Sequence, residues 1–257
     1  MRRYVEVVLC AVLLAACTES APVSPASSSS APSPTTTAPR APAAPSPSSA
    51  VTSPPAAEPT PAPADPPAPQ FAAATGPITG ELATRMASSW RPGCPVPLED
   101  LRHLTLTHHG FAGEVLTGEL VVHADAAEAI TGVFRSLFEA GYPIRSMRLV
   151  DDFGGDDAAS MAADNTSAFN CRSVAGTRVW SEHAYGRAID VNPVENPYVS
   201  RSGVYPPAGA DFADRPDLPG VIHADDAVAR AFADVGWGWG GTWLGARDYQ
   251  HFSATGR

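Results

Sequence analysis

The stretch Leu101–Pro143, "LRHLTLTHHGFAGEVLTGELVVHADAAEAITGVFRSLFEAGYP", changes its hydrophobic period halfway, and that change decides the fold class. In its first part Leu104 and Leu106 alternate with polar residues. Val115, Leu120 and Val122 line a second run, and "GFAG" is the connector, the pattern of a β-hairpin. From Asp125 the spacing becomes helical, with Ile130, Val133, Phe134, Leu137 and Phe138 on one face. Asp125 is the expected N-cap with Glu128 three residues later, and Gly141 and Pro143 are stop signals. Hairpin and helix in one unit predict an α+β domain: a small antiparallel sheet with flanking helices.

Downstream, "YPIRSMRLV" is expected to form a strand, and the polar stretch 151–172 a loop or short helical turns. "GRAIDVNP" alternates Ala188, Asp190 and Asn192 against Ile189 and Val191, as a strand with one apolar and one functional face does. "DDAVARAFADVGW" predicts a second helix burying Val228, Ala231, Phe232 and Val235, and a closing strand is expected over Tyr249–Ser253.

Upstream, composition changes near Gly76. Between Thr18 and Thr75 all but eight of 58 residues are Ala, Pro, Ser or Thr, and sixteen of the chain's 27 prolines fall there, so no apolar periodicity supports a core. This predicts a disordered tether, residues 18–75, with a reach of about 40 Å as a coil and about 180 Å as polyproline II. Residues 76–257 are expected to fold as one domain. Met1–Cys17, "MRRYVEVVLCAVLLAAC", has a basic start, a short apolar run interrupted by Glu6, and small residues at Ala15 and Ala16, the pattern of an export signal too short to span a bilayer. "LAAC" resembles the lipobox of bacterial lipoproteins, which implies lipidation of Cys17 and anchoring on the outer face of the cytoplasmic membrane. An ordinary cleaved signal with an incidental Cys17 implies secretion instead.

The formal charge of −10 disfavours a nucleic-acid or anionic-membrane partner, so membrane contact is expected through a lipid anchor only. A monomer is expected. With Cys10 and Cys17 in the signal, Cys94 and Cys171 remain; export favours a disulfide between them, while two thiolate metal ligands would lack the paired C-x-x-C spacing.

A hydrolytic zinc site needs about three His or carboxylate ligands, an open position for water, and a carboxylate to take that water's proton. His183 and Asp190 stand at the two ends of "HAYGRAID", with Gly186 letting the backbone turn between them; His251 in "DYQHF" can supply a third ligand, and Asp248 sits at a turn into that last strand. Each of these residues also has a bland reading as a surface, cap or hydrogen-bonded core group. His108 and His109 are adjacent in a strand and point to opposite faces, so they cannot readily share a metal. His103, His123 and His223 read as surface or capping residues. Ser181 lacks the setting of a nucleophile and reads as a hydrogen-bonding neighbour of the site. Trp237, Trp239 and Trp243 are candidates for the core or for a cleft wall, and Glu182, Tyr185 and Tyr249 for cleft or supporting positions.

"SEHAYGRAID" resembles the S-x-H-x-x-G-x-A-x-D motif of the M15 family of zinc D-Ala-D-Ala carboxypeptidases and related peptidoglycan peptidases. "DYQHF" resembles that family's closing D/E-x-x-H element. "NTSAFNCR", "AIDVNPVENPYV" and "GWGWGG" are similar to the branch that is D-alanyl-D-alanine carboxypeptidase-like or related to L-alanyl-D-glutamate peptidases, and the resemblance runs from about Trp90 onward. It implies a hedgehog/D-Ala-D-Ala peptidase-like fold and one Zn2+ held by His183, Asp190 and His251. It further implies Asp248 as general base, Arg172 as the cation near the scissile carbonyl, and peptidoglycan stem peptides as substrate. Many carboxypeptidases of the family carry Glu where this chain has Asp248, and the Asp form resembles the endopeptidase-like branch, which leaves exo against endo cleavage open. A cell-wall-binding lipoprotein with a structural zinc, or a peptidase with another substrate, fits the residues as well.

Overall fold

Alternating leucines and valines at the start of the domain form the first of several small sheets in the computed structural model, which describes residues 69–257. The export signal, Cys17 and the tether as far as residue 68 lie outside the described residues. β1 (Ala73–Pro77) leads through the short helix α1 (Gly80–Arg85) to β2 (Leu101–His109) and β3 (Val115–His123), and the three strands pair antiparallel in the order β1-β2-β3. Leu104 faces Leu120 across the hairpin, and Leu104, Leu106, Leu120 and Val122 are all buried. Composition places Ala73–Thr75 in the tether, but they pair with Leu106–Leu104, and the Phe71 ring lies 5.8 Å from that of Phe138. Regular structure is thus already present before the compositional change: pairing with β2 and the Phe71 ring position Ala73, Ala74 and Thr75 whatever their composition suggests.

α2 (Ala127–Glu139) buries Ile130, Val133, Phe134, Leu137 and Phe138, the face its periodicity predicts. Its N-cap is Ala126 rather than Asp125. Asp125 falls one position early, in a 3₁₀ turn over Ala124–Ala126, where its carboxylate pairs with His123 and Arg187 instead of with the helix amides. The strand expected in "YPIRSMRLV" shrinks to β4 (Ser146–Met147). Side chains, not a neighbouring strand, satisfy the backbone on either side of it: Arg145 N–H donates to Asn192 Oδ1 (3.1 Å) and Arg148 N–H to Asn165 Oδ1 (2.9 Å). The polar stretch that follows contains α3 (Asp157–Ala162), capped by Asp156, and β5 (Asn165–Thr166), which pairs parallel with β4.

β6 (Ala188–Asp190) is followed by a hairpin of β7 (Tyr198–Ser200) and β8 (Gly203–Tyr205), which no pattern in the sequence predicts. α4 (Ala227–Asp234) buries Val228, Ala231 and Phe232, with Asp226 Oδ1 accepting the Ala229 N–H at 2.8 Å; Val235 lies just past its end. The closing segment divides into β9 (Gly238–Trp239), β10 (Arg247–Asp248) and β11 (His251–Ser253). The one strand expected over Tyr249–Ser253 is therefore two pieces: Asp248 belongs to the sheet β10-β7-β8 and His251 to the sheet β6-β11-β9. The break lets the carboxylate and the imidazole approach from different sheets.

The main core joins the hairpin, α2, α4 and the sheet of β6 and β11. Phe232 stacks on Phe252 at 4.0 Å, and Ile189 is completely buried beside them. A smaller cluster gathers Ile78, Met86, Leu101, Val121, Leu149 and Phe169, and at its margin Cys94 is disulfide-bonded to Cys171. The architecture is α+β, with three small antiparallel sheets and one parallel strand pair among the described residues rather than a single sheet. No helix among the described residues is long and apolar enough to cross a membrane.

Candidate metal centre

His183 is carried on a 3₁₀ turn over Glu182–Tyr185, entered through Ser181, whose Oγ accepts the His183 N–H, and left through Gly186 at φ +64°. A Cβ on Gly186 would sit 2.6 Å from the backbone nitrogen of His123, which donates to Gly186 O at 2.9 Å, so the end of β3 presses directly on this turn. β6 then delivers Asp190. β11 pairs antiparallel with β6 so that His251 is the register partner of Asp190, and this pairing brings together residues 61 positions apart.

The three side chains are buried, and their donor atoms converge. His251 Nδ1 lies 2.9 Å from Asp190 Oδ1, His183 Nε2 lies 3.2 Å from Asp190 Oδ2, and the two nitrogens are 3.3 Å apart. Ligands about 2.0–2.1 Å from one tetrahedral ion stand roughly 3.3 Å from one another, so two nitrogens and an oxygen at these separations fit zinc. The outward-facing nitrogens are also accounted for: His183 Nδ1–H donates to Ala168 O at 2.6 Å, and His251 Nε2 is 2.9 Å from Arg257 O. Both imidazoles thus turn their remaining nitrogen toward Asp190, the arrangement expected of metal-ligating histidines. His183, Asp190 and His251 are the one group of this kind among the described residues.

Charges inside the cluster are strongly coupled. Burial pushes the Asp190 carboxyl up, but the charge and hydrogen bond of His183, joined by His251, hold it well below the usual carboxylate range. Burial opposes a charge on His251, yet the hydrogen bond and charge of Asp190 prevail and raise it to about 9. Asp248 is partly buried at the edge of the cluster and its Oδ1 has no hydrogen-bond partner. Burial first, then the negative charge of Asp190, push its carboxyl up to about 6, where it can both take and return a proton near neutral pH.

The other expected residues fall differently. Arg172 is not bonded to any of these four side chains: its Nη2 pairs with Asp157 Oδ2 of α3 at 2.8 Å, while its buried Nε has no partner. Trp239 braces the closing segment, its indole N–H donating to Tyr249 O at 2.8 Å, and the Tyr249 ring lies beneath the Arg215 guanidinium at 4.3 Å. Trp237 is in the core, and the Trp243 ring is 5.5 Å from that of His251. Among the other histidines, His103 bonds Glu119 and His109 stacks on Phe138 at 4.3 Å.

Gln250 and Asn196 escape the sequence reading, which places Asn192 on the functional face of its strand but gives it no partner. Gln250, between Asp248 and His251, is buried with its Oε1 unpartnered and its Nε2 3.3 Å from the Met161 sulfur. Asn192 and Asn196 are fully buried just beyond Asp190; Asn196 accepts from Arg215 Nη2 (2.6 Å) and from the Ile222 N–H (2.8 Å), which fixes the chain leaving β6. The repeated Asn-Pro of "NPVENP" is the sequence signal for this anchor, but its partners lie about twenty or more residues away.

No curated protein and no solved structure matches the chain. Residues 175–254, which carry His183, Asp190, Asp248 and His251, match the family model described as D-alanyl-D-alanine carboxypeptidase, a match that supports an M15 family peptidase.

Proposed function

We propose that this chain is a zinc-dependent peptidase that hydrolyses peptidoglycan stem peptides, of the D-alanyl-D-alanine carboxypeptidase type, on a hedgehog/D-Ala-D-Ala peptidase-like fold. The observation that carries the reading is the convergence of His183, Asp190 and His251 beside a carboxyl, Asp248, whose Oδ1 has no hydrogen-bond partner. A zinc ion held by the three would act as a Lewis acid on a water and on the peptide carbonyl. Asp248 takes the proton from the attacking water and hands it to the leaving amine, a relay suited to a carboxyl poised near 6. Arg172 would meet a substrate carboxylate or the developing oxyanion with the guanidinium donors that its Nη2–Asp157 pair leaves over. With Cys17 lipidated, the tether would hold the domain off the outer face of the cytoplasmic membrane.

Asp248 itself favours a second reading, an L-alanyl-D-glutamate or other peptidoglycan endopeptidase, because that branch resembles the chain in using Asp. Mass spectrometry of muropeptides incubated with the zinc-loaded protein separates the two: loss of one terminal D-Ala marks the carboxypeptidase, and a cut between L-Ala and D-Glu or within a cross-link marks the endopeptidase. Asp248→Asn is expected to retain zinc and to lower turnover at least a hundredfold, the scale of a lost general base. Unchanged turnover in this variant removes Asp248 from that role. Binding of muropeptides with no product, and no effect of chelator, would instead identify a non-catalytic wall-binding protein.

A further inference from the structure

We propose that the turn Ala254–Arg257 is a positioning element for the third metal ligand: through the backbone oxygen of Arg257 it fixes the tautomer and ring orientation of His251. The proposal rests on the metal reading above.

His251 has two ring nitrogens with different tasks. Nδ1 faces Asp190 and His183, while Nε2 lies 2.9 Å from Arg257 O. A proton kept on Nε2 by that oxygen leaves the Nδ1 lone pair free to point into the cluster. For His183 the same service comes from Ala168 O, in a buried segment next to β5. Arg257 lies beyond the end of β11, so contacts other than strand pairing hold its oxygen in place.

Three features of the sequence converge on that task. Ser253, completely buried and two residues past His251 on β11, donates from Oγ to Arg257 O at 2.8 Å and accepts the Arg257 N–H at 2.9 Å. The Trp243 indole N–H donates to Gly256 O at 2.7 Å while its ring flanks His251. Gly238, in "GWGWGG", has no room for a side chain: a Cβ there would sit 2.6 Å from the Gly256 Cα, so a glycine on β9 is what lets the turn lie against the sheet. The turn is closed by Gly256 N–H to Ser253 O at 3.1 Å and tied to the start of β6 by Ala254 N–H to Arg187 O at 3.0 Å. Neither the proton relay nor the core uses these contacts. Their common product is one fixed backbone oxygen, bonded by Ser253 and His251, at the back of a ligand.

The test compares the full chain, a chain ending at Ala254, and Trp243→Phe, which keeps a ring beside His251 but loses the bond to Gly256. Two quantities are measured: the zinc dissociation constant, by competition with a chromophoric chelator, and the thermal midpoint of the metal-free protein. Outer contacts of this kind change metal affinity by about 10–100-fold. The shortened chain is expected to bind zinc more weakly by that factor, and Trp243→Phe by several-fold, each with a metal-free midpoint close to that of the full chain. Zinc affinity of the shortened chain within twofold of the full chain overturns the proposal. If the shortened chain does not fold, Trp243→Phe decides in the same way. A full chain that takes up no zinc is a different result: it overturns the metal reading itself.

Discussion

Single side chains near the site were legible where chemistry and backbone geometry coincide. His183, Gly186 and Asp190 lie within eight residues, and one turn and one strand suffice to relate them, so the motif carries most of its own geometry. Glu195 shows the opposite case. It is buried with Oε2 unpartnered, beside Asp164, and Arg145 reaches both carboxylates only at 3.3–3.4 Å, a relationship among residues 19 to 50 positions apart that no local pattern reveals. Burial, then the hydrogen bond and charge of Asp164, push the Glu195 carboxyl up to about 7. Its folded-state value thus exceeds its unfolded one, so the folded protein binds this proton more tightly. The stability this gives is complete below the unfolded value of 4.5 and is lost as pH rises through about 7. Glu195→Gln imitates the protonated form and is expected to raise the thermal midpoint at pH 8 while leaving it nearly unchanged at pH 4.5. Equal effects at both pH values would show that the carboxyl does not titrate in this range.

Elements were legible in proportion to their length. β2, β3 and α2 each run nine residues or more, enough for period 2 or 3.6 to show, whereas β4, β5, β9 and β10 are two residues each and have no period at all. Such strands exist because tertiary neighbours position them, which is also why the break between Asp248 and His251 was invisible. The turn between β3 and β6 is the element on which the site most depends. Gly186→Ala meets both a left-handed backbone and the His123 nitrogen, whereas Gly141→Ala meets a similar φ of +67° with nothing within 4 Å. The strained conformation alone costs about 1–2 kcal/mol. Gly141→Ala is expected to lose about that much in chemical denaturation, and Gly186→Ala clearly more, with weaker zinc binding because His183 moves with its turn. Equal losses would show that β3 yields to the added methyl.

For the whole molecule, the change of period after His123 was enough to establish α+β, and the cysteine count enough to pair Cys94 with Cys171. That β1 is a strand was not legible, because it is written in the same alanine and threonine as the segment before it. The disulfide closes a loop of 77 positions and joins the segment after α1 to the strand-like run that precedes His183. Replacing both cysteines with alanine is expected to reduce unfolding free energy by about 2–4 kcal/mol, as read from urea denaturation under otherwise identical conditions. The register of β6 and β11 has a further consequence. Since Asp190 and His251 face each other only in that register, and a one-residue slip would turn one of them to the opposite face, a metal held by both would recognise the native pairing and no neighbouring one. Metal occupancy and the correct threading of the closing segment would then be linked: supply of an ion held by these residues would bias the chain against misaligned strands, and its removal would raise their share.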